Sequence, residues 1–428
     1  MNKQVKIYPP VIEEIEDWPI YKLHKDREAF VQEIEAFTLK RIMSQSPGAI
    51  SDTIARTIYL EMIRVKEEPW KVDPPNERQF WKKIRKQLIT KSLDKEEEQA
   101  LAQNKEILQR IINRYTEEIV ATFKIPTFRF ARRFLTLFFN RLLNTAASRN
   151  FGRIYSRKYR LYERFRMEGA LDEVRSLMKK GTVVVVPTHF SNLDSILIGY
   201  AMDAVLGLPS FSYGAGLNLY NTGYTAYYMN RLGAYRLDRR KKNPIYLETL
   251  KAMSNLALQR GTNSLFFPGG TRSRSGSIET KLKLGLFGTV VEAQRSLCQQ
   301  GSDRKIFIVP LIIGYNTVLE APFLIEQHLQ QTGKESYFKM RDQGGSLRKI
   351  IKFAWQFFSK SSEIHLSFGQ PLDVLGNPVN GEGESFDQHG NKLDIREYFL
   401  SDGVLKEDLQ REREYTRQLG DKLVERYH

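Results

Sequence analysis

The chain has 428 residues, a single cysteine (Cys298), a net charge of +16 and a pI near 9.6. This length is enough for one large domain and a second unit. One cysteine excludes a disulfide framework or a thiol metal cluster, which fits a reducing compartment. The first residues lack the apolar core of a signal peptide, and no stretch approaches the roughly 18 uninterrupted apolar residues of a membrane-spanning helix. We therefore expect a cytoplasmic protein with an anionic partner, such as nucleic acid, an anionic lipid surface or a phosphorylated substrate.

The first 150 residues have a pattern typical of helices. Apolar residues recur at three- and four-residue spacing, charged residues lie between them, and glycines are few. The clearest predicted helices span residues 27–42, 77–88 and 95–115. We predict an N-terminal helical domain over residues 1–150, followed by a second domain over residues 151–428.

Basic and aromatic residues are interleaved from Phe128 to Arg166, where eleven basic residues accompany one acidic residue, Glu163. In helical projection Phe130 and Phe134 share one face, and arginines such as Arg132 lie on the other. Such a basic amphipathic helix either packs its apolar face on neighbouring helices or lies on an anionic bilayer. Packing is the commoner outcome, so it is the first expectation here.

Beyond residue 170, short β-branched runs alternate with helical patterns. The predicted strands are residues 182–187, 264–267, 305–313 and 363–369, and the predicted helices are residues 195–205, 243–259 and 285–297. This alternation predicts an α/β fold with a mixed, largely parallel sheet flanked by helices. Residues 376–391, rich in glycine and asparagine, predict a surface excursion, and residues 395–427 predict a charged terminal helix.

The stretch PTHFSNLDS, residues 187–195, follows a run of four valines that predicts a buried strand. The carboxyl end of a parallel strand is where open α/β sheets place their ligand crevice. A carboxylate bonded to one imidazole nitrogen fixes the tautomer, so that the other nitrogen can take a proton from a hydroxyl. We interpret His189 as a general base and Asp194 as the residue that orients it. An isolated pair at this spacing also arises by chance, as a capping histidine with an incidental aspartate.

A second stretch, FFPGGTRSRSG at residues 266–276, weakens that chance explanation. It begins as a buried strand, turns through two glycines and then presents Arg272 and Arg274. Glycines let backbone amides approach an anion closely, and two guanidinium groups can clamp a phosphate. The alternative is an exposed turn with solvated arginines.

Two further stretches are weaker signals. LGAYRLDRR, residues 232–240, ends in a basic cluster, and IVPLII, residues 308–313, is a core strand that contains a proline. Proline is normally confined to sheet edges or bulges, so a channel beside the strand is the alternative, and a core strand is the expected outcome.

In this order and spacing, the four stretches resemble the four sequence blocks of the glycerol-phosphate acyltransferase superfamily, which includes glycerol-3-phosphate and lysophosphatidate acyltransferases. PTHFSNLDS resembles the first block, GAYRLDR the second, FPGGTRSRSG the third and IVPLII the fourth. The resemblance covers residues 182–371. It implies the αβα fold of that superfamily for the acyltransferase catalytic domain.

The resemblance also implies roles for individual residues. His189 would deprotonate the acceptor hydroxyl, and Asp194 would orient it. The acceptor phosphate and its pocket would be formed by Arg239, Gly270, Thr271, Arg272, Ser273, Arg274 and Lys283. The acyl group would arrive as a thioester on coenzyme A or on acyl carrier protein, and neither a metal nor another cofactor is implied.

Two departures from the block pattern bear on the acceptor. The third block usually has a glutamate between its proline and its glycine, where this chain has Gly269, as the soluble plastid-type glycerol-3-phosphate enzymes also do. We therefore expect the acceptor-orienting role of that carboxylate to be lost. Leu237-Asp238-Arg239 is closer to the lysophosphatidate type, whereas Ser273-Arg274-Ser275-Gly276 followed by Lys283 is closer to the glycerol-3-phosphate type.

The preceding helical region favours glycerol 3-phosphate, or its ketone relative dihydroxyacetone phosphate, as acceptor in phospholipid biosynthesis; lysophosphatidate is the alternative. We expect a peripheral protein on the cytoplasmic face of an anionic membrane, with residues 128–166 and 347–358 as candidate contacts. A nucleic-acid-binding protein is a remote alternative that leaves His189 and Asp194 unexplained. A catalytically silent member that binds acyl-carrier partners is a third.

Overall fold

The computed structural model describes residues 6–91, 97–148, 161–190, 194–220, 223–270, 273, 278–315 and 363–428. By their internal contacts these residues form two compact units that interleave along the chain. Unit 1 comprises Met1–Tyr21, Ile125–Ser212 and Gly261–His428, and unit 2 comprises Lys22–Lys124 and Tyr213–Arg260. The division of the sequence into domains at residue 150 stays a prediction.

Twelve α-helices occur in the described part of the chain. They are α1 Pro19–Lys25, α2 Arg27–Met43, α3 Pro47–Glu67, α4 Glu77–Lys91, α5 Glu97–Ile119, α6 Ile125–Ser148, α7 Leu171–Leu177, α8 Asp194–Ala204, α9 Gly223–Met229, α10 Pro244–Gln259, α11 Leu284–Gln299 and α12 Leu409–Tyr427. The helical pattern of the first 150 residues is confirmed. α3 illustrates its local causes: the Ser46 side chain accepts a hydrogen bond from the Ala49 amide, and Pro47 occupies the first turn.

Eleven strands lie in the same residues. They are β1 Phe165–Gly169, β2 Gly181–Pro187, β3 Ser212–Gly216, β4 Ala234–Leu237, β5 Ser264–Leu265, β6 Lys305–Tyr315, β7 Ile364–Phe368, β8 Ser385–Phe386, β9 Lys392–Leu393, β10 Leu400–Ser401 and β11 Val404–Leu405. The sheet strands of unit 1 follow the order β1-β7-β6-β2-β5, and within this order only the β6–β7 pairing is antiparallel. In unit 2, β3 and β4 pair in parallel. The predicted mixed, largely parallel α/β sheet is confirmed.

The core of unit 1 is centred on β2, whose four valines, Val183 to Val186, are fully buried. β2 pairs with β6 from Gly181↔Lys305 to Pro187↔Leu311. Pro310 lies within this central strand and pairs with Val186, so the expectation of a core strand holds.

On the side of β6 away from β2, residues 364–372 pair with β6 before and after Pro310. Leu372 bridges to Ile308, and Phe368 pairs with Leu311, with Gly369 between these two contacts. The Gly369 amide donates to the Pro310 carbonyl at 2.9 Å. The proline thus lies at a local irregularity of the pairing, which is where a sheet tolerates a residue without an amide donor.

Two sequence-based expectations are wrong in detail. Residues 376–391 form a surface excursion only at their end, where residues 388–391 are exposed, whereas Val379, Gly383 and Ser385 are buried and β8 pairs with β9. Gly383 lies so close to Phe307 that a Cβ atom there would be 3.1 Å from the ring. Polar residues of this segment form local turns, as Asn380 does by accepting from the Glu384 amide at 3.0 Å, so their abundance does not by itself indicate exposure. Residues 395–427 also contain a short antiparallel pair, β10 and β11, before the terminal helix.

Unit 2 contains a buried network of charges. Arg64, whose side chain is 3% exposed, forms ion pairs with Glu61, Glu77 and Asp73. Glu61 also accepts hydrogen bonds from Tyr115 and Asn243, at 3.0 and 2.7 Å. Burial raises the pKa of Glu61, and this effect outweighs the opposing charges of Lys241 and Arg64. The carboxylates therefore depend on their partners to remain in the interior.

Replacing Arg64 with methionine should lower the free energy of unfolding by about 3–5 kcal/mol, because it leaves buried carboxylates without their counter-charge. Arg417 is the matched control, since its side chain is 56% exposed and pairs with Glu414 and Asp421. Arg417→Met should change the free energy of unfolding far less, because ion pairs at the surface are screened by solvent. Denaturant unfolding of both variants measures the difference, and equal losses would contradict a stabilising role for the buried network.

Candidate active site

The candidate site lies at the carboxyl edge of the unit 1 sheet. β2 is flanked in parallel by β5 and β6, so these three strands end at the same edge. His189 comes two residues after the end of β2. The hydroxyl of the intervening Thr188 accepts from the Ile313 amide of β6 at 3.1 Å, which ties the chain to the sheet just before the histidine.

Asp194 is the first residue of α8 and is fully buried. Its Oδ2 accepts from His189 Nδ1 at 2.8 Å and from the Phe190 amide at 2.7 Å. Its Oδ1 accepts from the Tyr315 hydroxyl at the end of β6. Three donors thus stabilise the carboxylate, and the N-terminal position on a helix favours its negative charge.

The His189 ring is held on two sides. Its Nδ1 faces Asp194, and its plane stacks on Phe267, with ring centroids 4.2 Å apart. Its side chain keeps 20% exposure, in contrast to the fully buried Asp194. The carboxylate favours the tautomer with the proton on Nδ1, which leaves Nε2 as a proton acceptor. This is the geometry that a general base requires.

The structure brings part of the third block to His189. The Ser273 amide donates to the His189 carbonyl at 2.7 Å. Gly270 closes a turn by donating to the Phe267 carbonyl at 3.1 Å, with a positive φ of 73° that favours glycine. Lys283 donates its amide to the Pro268 carbonyl at 2.8 Å, and its side chain lies against Gly270, 2.6 Å from where a Cβ atom would stand.

For the other predicted site residues the role stays a prediction. Thr271, Arg272 and Arg274 lie outside the described residues. Arg239 belongs to unit 2, where its side chain is exposed.

The basic neighbours of Arg239, which are Arg240 and Lys241, form ion pairs within unit 2. Arg240 donates to Asp238 and Asp73, and Lys241, fully buried, pairs with Glu118. Contacts with Asp238 and Asp73 outweigh the effect of burial and raise the pKa of Arg240. Among the basic residues 239–241, Arg239 alone has an exposed side chain.

Sequence reasoning missed two residues of the site, Tyr315 and Glu279. Glu279 Oε1 accepts from the His189 amide at 3.1 Å. Glu279 is the one acidic residue between Phe266 and Gly285, and this isolation in a basic stretch is a signal that could have identified it. Tyr315 has no comparable signal, because 121 residues separate it from the carboxylate it contacts.

The Glu279 carboxyl group lies in a partly desolvated position. Burial raises its pKa, opposed by backbone hydrogen bonds, including that from His189, and by the His189 charge, while the Asp194 carboxylate raises it further. Two carboxyl groups therefore flank the candidate base. In the described part of the chain, groups of three or more histidine, cysteine or acidic side chains that could hold a metal ion do not occur.

Comparison with protein families places this site in a known context. Residues 128–314 match the family model described as Acyltransferase. The matched range contains β2, His189, Asp194 and the third block, so the resemblance inferred from the four blocks is confirmed.

Curated relatives carry a more specific name. The chain is 25% identical over 371 residues to a glycerol-3-phosphate acyltransferase of Aeromonas hydrophila, covering 85% of this chain and 41% of the relative. It is 26% identical over 362 residues to the protein of that name in Pasteurella multocida, covering 83% and 40%. It is 27% identical over 294 residues to the protein of that name in Pseudomonas aeruginosa strain UCBPP-PA14, and the match covers 68% of this chain and 31% of the relative. The chain spans about two fifths or less of the length of these relatives.

Asp194→Asn should disturb the tautomer of His189. The Asp194 carboxylate accepts hydrogen bonds from three donors on two oxygens, whereas asparagine has one acceptor oxygen. The NH₂ group of the asparagine would then face one of these donors. In ¹⁵N NMR of the neutral ring, we expect the wild-type proton on Nδ1 and a loss of that preference in the variant. Tyr315→Phe is the matched control, because it removes a donor from Oδ1 but leaves Oδ2 for His189. An unchanged tautomer in Asp194→Asn would contradict the orienting role.

Proposed function

We propose that this chain, whose residues 128–314 match the acyltransferase family model, moves a fatty acyl group from an acyl thioester to the hydroxyl of glycerol 3-phosphate, or of dihydroxyacetone phosphate. The observation that carries the proposal is the buried Asp194 that fixes His189 at the carboxyl edge of the sheet. The name of the curated relatives supports glycerol 3-phosphate as the acceptor.

In the proposed reaction His189 acts as the general base. Its Nε2 takes the proton of the acceptor hydroxyl as the oxygen attacks the carbonyl carbon of the thioester. The new C–O bond forms, the C–S bond breaks, and the proton passes from His189 to the departing thiolate. The products are an ester and a free thiol. Asp194 stabilises the charge that His189 carries between these steps.

The acceptor phosphate would be held by Arg239, Arg272 and Arg274, in a pocket shaped by the turn at Gly270. Support for the turn comes from the contacts that hold Ser273 to His189 and Lys283 to Gly270. The acyl donor would be coenzyme A or acyl carrier protein, which acts as a co-substrate. A lysophosphatidate acceptor is the alternative, favoured by the second block, Leu237-Asp238-Arg239.

An anionic membrane surface is the proposed place of action. No helix of the described residues is long and apolar enough to cross a membrane. On α6, Phe130, Phe134 and Leu137 are each more than half exposed. Arg129 and Arg133 are exposed beside them. The expectation that this apolar face is packed is therefore wrong for these residues, and their exposure supports bilayer contact. The second candidate contact, residues 347–358, lies outside the described residues.

Charge reversal on α6 should weaken membrane binding. Each basic residue near an anionic surface contributes about 1 kcal/mol, so Arg129→Glu with Arg133→Glu should reduce binding to phosphatidylserine vesicles about tenfold or more. The charge-matched control is Lys406→Glu with Arg413→Glu, two exposed residues of the same unit. Co-sedimentation measures both. Equal binding by the α6 variant and the wild type would contradict the proposed contact.

His189→Ala should reduce acyl transfer by about 100-fold or more, since a positioned base is removed. The assay uses one labelled acyl group, carried by coenzyme A or by acyl carrier protein. Each thioester is offered with glycerol 3-phosphate, dihydroxyacetone phosphate or lysophosphatidate, so the assay measures the activity and identifies the acceptor. Denaturant unfolding checks that the variant is folded. Acyl transfer by His189→Ala at the wild-type rate would overturn the mechanism. If the wild-type protein transfers the acyl group to lysophosphatidate alone, lysophosphatidate is the acceptor.

A further inference from the structure

Glu279 occupies the space that a side chain at position 269 would fill. A Cβ atom added to Gly269 would stand 2.9 Å from Glu279 Cγ, 2.9 Å from its Oε1 and 3.3 Å from its Cδ. Real Cβ atoms essentially never come within 3.0 Å of another heavy atom, so a side chain at 269 would require the Glu279 side chain to leave its present position. Gly269 is outside the glycines with positive φ, so this contact, and not backbone conformation, is what limits the position.

The two carboxylate oxygens of Glu279 have different surroundings. Oε1 accepts from the His189 amide at 3.1 Å, which places the group beside the candidate base. Oε2 is buried and has no hydrogen-bond partner among the residues that the structure describes. A buried acceptor without a donor costs about 1–3 kcal/mol. A ligand that brings a donor to this atom would therefore recover that cost.

The nearby Asp194 is already engaged by other donors and is fully buried. Both of its oxygens are already occupied, by His189 and Phe190 on one and by Tyr315 on the other. Asp194 orients the base, and Glu279 keeps an acceptor atom available at the same edge of the sheet.

We infer that Glu279 determines acceptor specificity, with Oε2 accepting a hydrogen bond from the acceptor hydroxyl that is not acylated. The inference rests on the proposed function. It also explains how the site can lack a glutamate at position 269 and still present a carboxylate in the same space, supplied by a residue ten positions later in the chain.

This role discriminates between the two proposed acceptors by their chemistry. Glycerol 3-phosphate has a second hydroxyl that can donate to Oε2. Dihydroxyacetone phosphate has a carbonyl oxygen at that carbon, which only accepts, and two acceptors facing each other are unfavourable. A glutamine at position 279 would reverse this preference, because its amide nitrogen can donate to the carbonyl oxygen.

The test compares Glu279→Gln with the wild type. The ratio of kcat/KM for glycerol 3-phosphate to kcat/KM for dihydroxyacetone phosphate is measured on one preparation of each protein with one acyl thioester. This ratio does not depend on the folded fraction. Glu397→Gln is the matched control, since Glu397 is an exposed carboxylate of the same unit. A second variant, Gly269→Glu with Glu279→Ala, removes the carboxylate at position 279 and supplies one from position 269 to the same space.

We expect the wild type to prefer glycerol 3-phosphate and Glu279→Gln to lower the ratio by about tenfold or more, as the loss of a hydrogen bond to a charged group predicts. Glu397→Gln should leave the ratio unchanged, and the double variant should recover the preference for glycerol 3-phosphate.

An unchanged ratio in an active Glu279→Gln variant, or a wild-type preference for the ketone, would overturn the inference and leave the proposed function standing. If Glu279→Gln transfers to neither acceptor, the double variant decides: a recovered preference supports the inference, and continued inactivity overturns it. Failure of the wild type with both acceptors would overturn the proposed function, and the inference with it.

Discussion

The parallel pairing of β2 with its two neighbours is the constraint on which the candidate site depends. Val184 pairs with Ser264 of β5 on one side and with Ile308 of β6 on the other. Parallel strands end at one edge of a sheet, so segments far apart in sequence deliver their side chains to one place: His189 after β2, the third block after β5 and Tyr315 at the end of β6. The hydrogen bond from the Ile313 amide of β6 to the Thr188 hydroxyl ties the end of β2 to β6 in this register.

The strands that could be predicted are those whose own residue types indicate burial. β2 and β6 are continuous β-branched runs, and such runs indicate a strand that is covered on both faces. β1, β3 and β4 were not predicted. β3, Ser212–Gly216, contains two glycines, and β1, Phe165–Gly169, lies at the end of the basic segment. Their strand conformation depends on the partners with which they pair, and a short polar sequence does not show those partners.

The same distinction separates the site residues that were predicted from those that were missed. His189 and Asp194 lie within one turn, and their spacing carries the signal. Tyr315 and Glu279 contact that turn from 121 and 90 residues away, so only the folded sheet brings them there. Position 269 shows the same dependence on the fold. Gly269 indicated a missing carboxylate, whereas the space beside it contains Glu279.

The two carboxyl groups beside His189 show why the surroundings of a residue, more than its type, set its role. Asp194 is saturated by three donors, so its charge is stabilised and it serves to hold the ring. Glu279 has a donor on one oxygen, while its other oxygen is buried without a partner in the described residues. A fold that needed Glu279 only to hold the His189 amide would gain by satisfying or exposing that second oxygen, since an unsatisfied buried acceptor is costly. Its position beside a candidate base is the physical reason to look for the missing donor on the substrate.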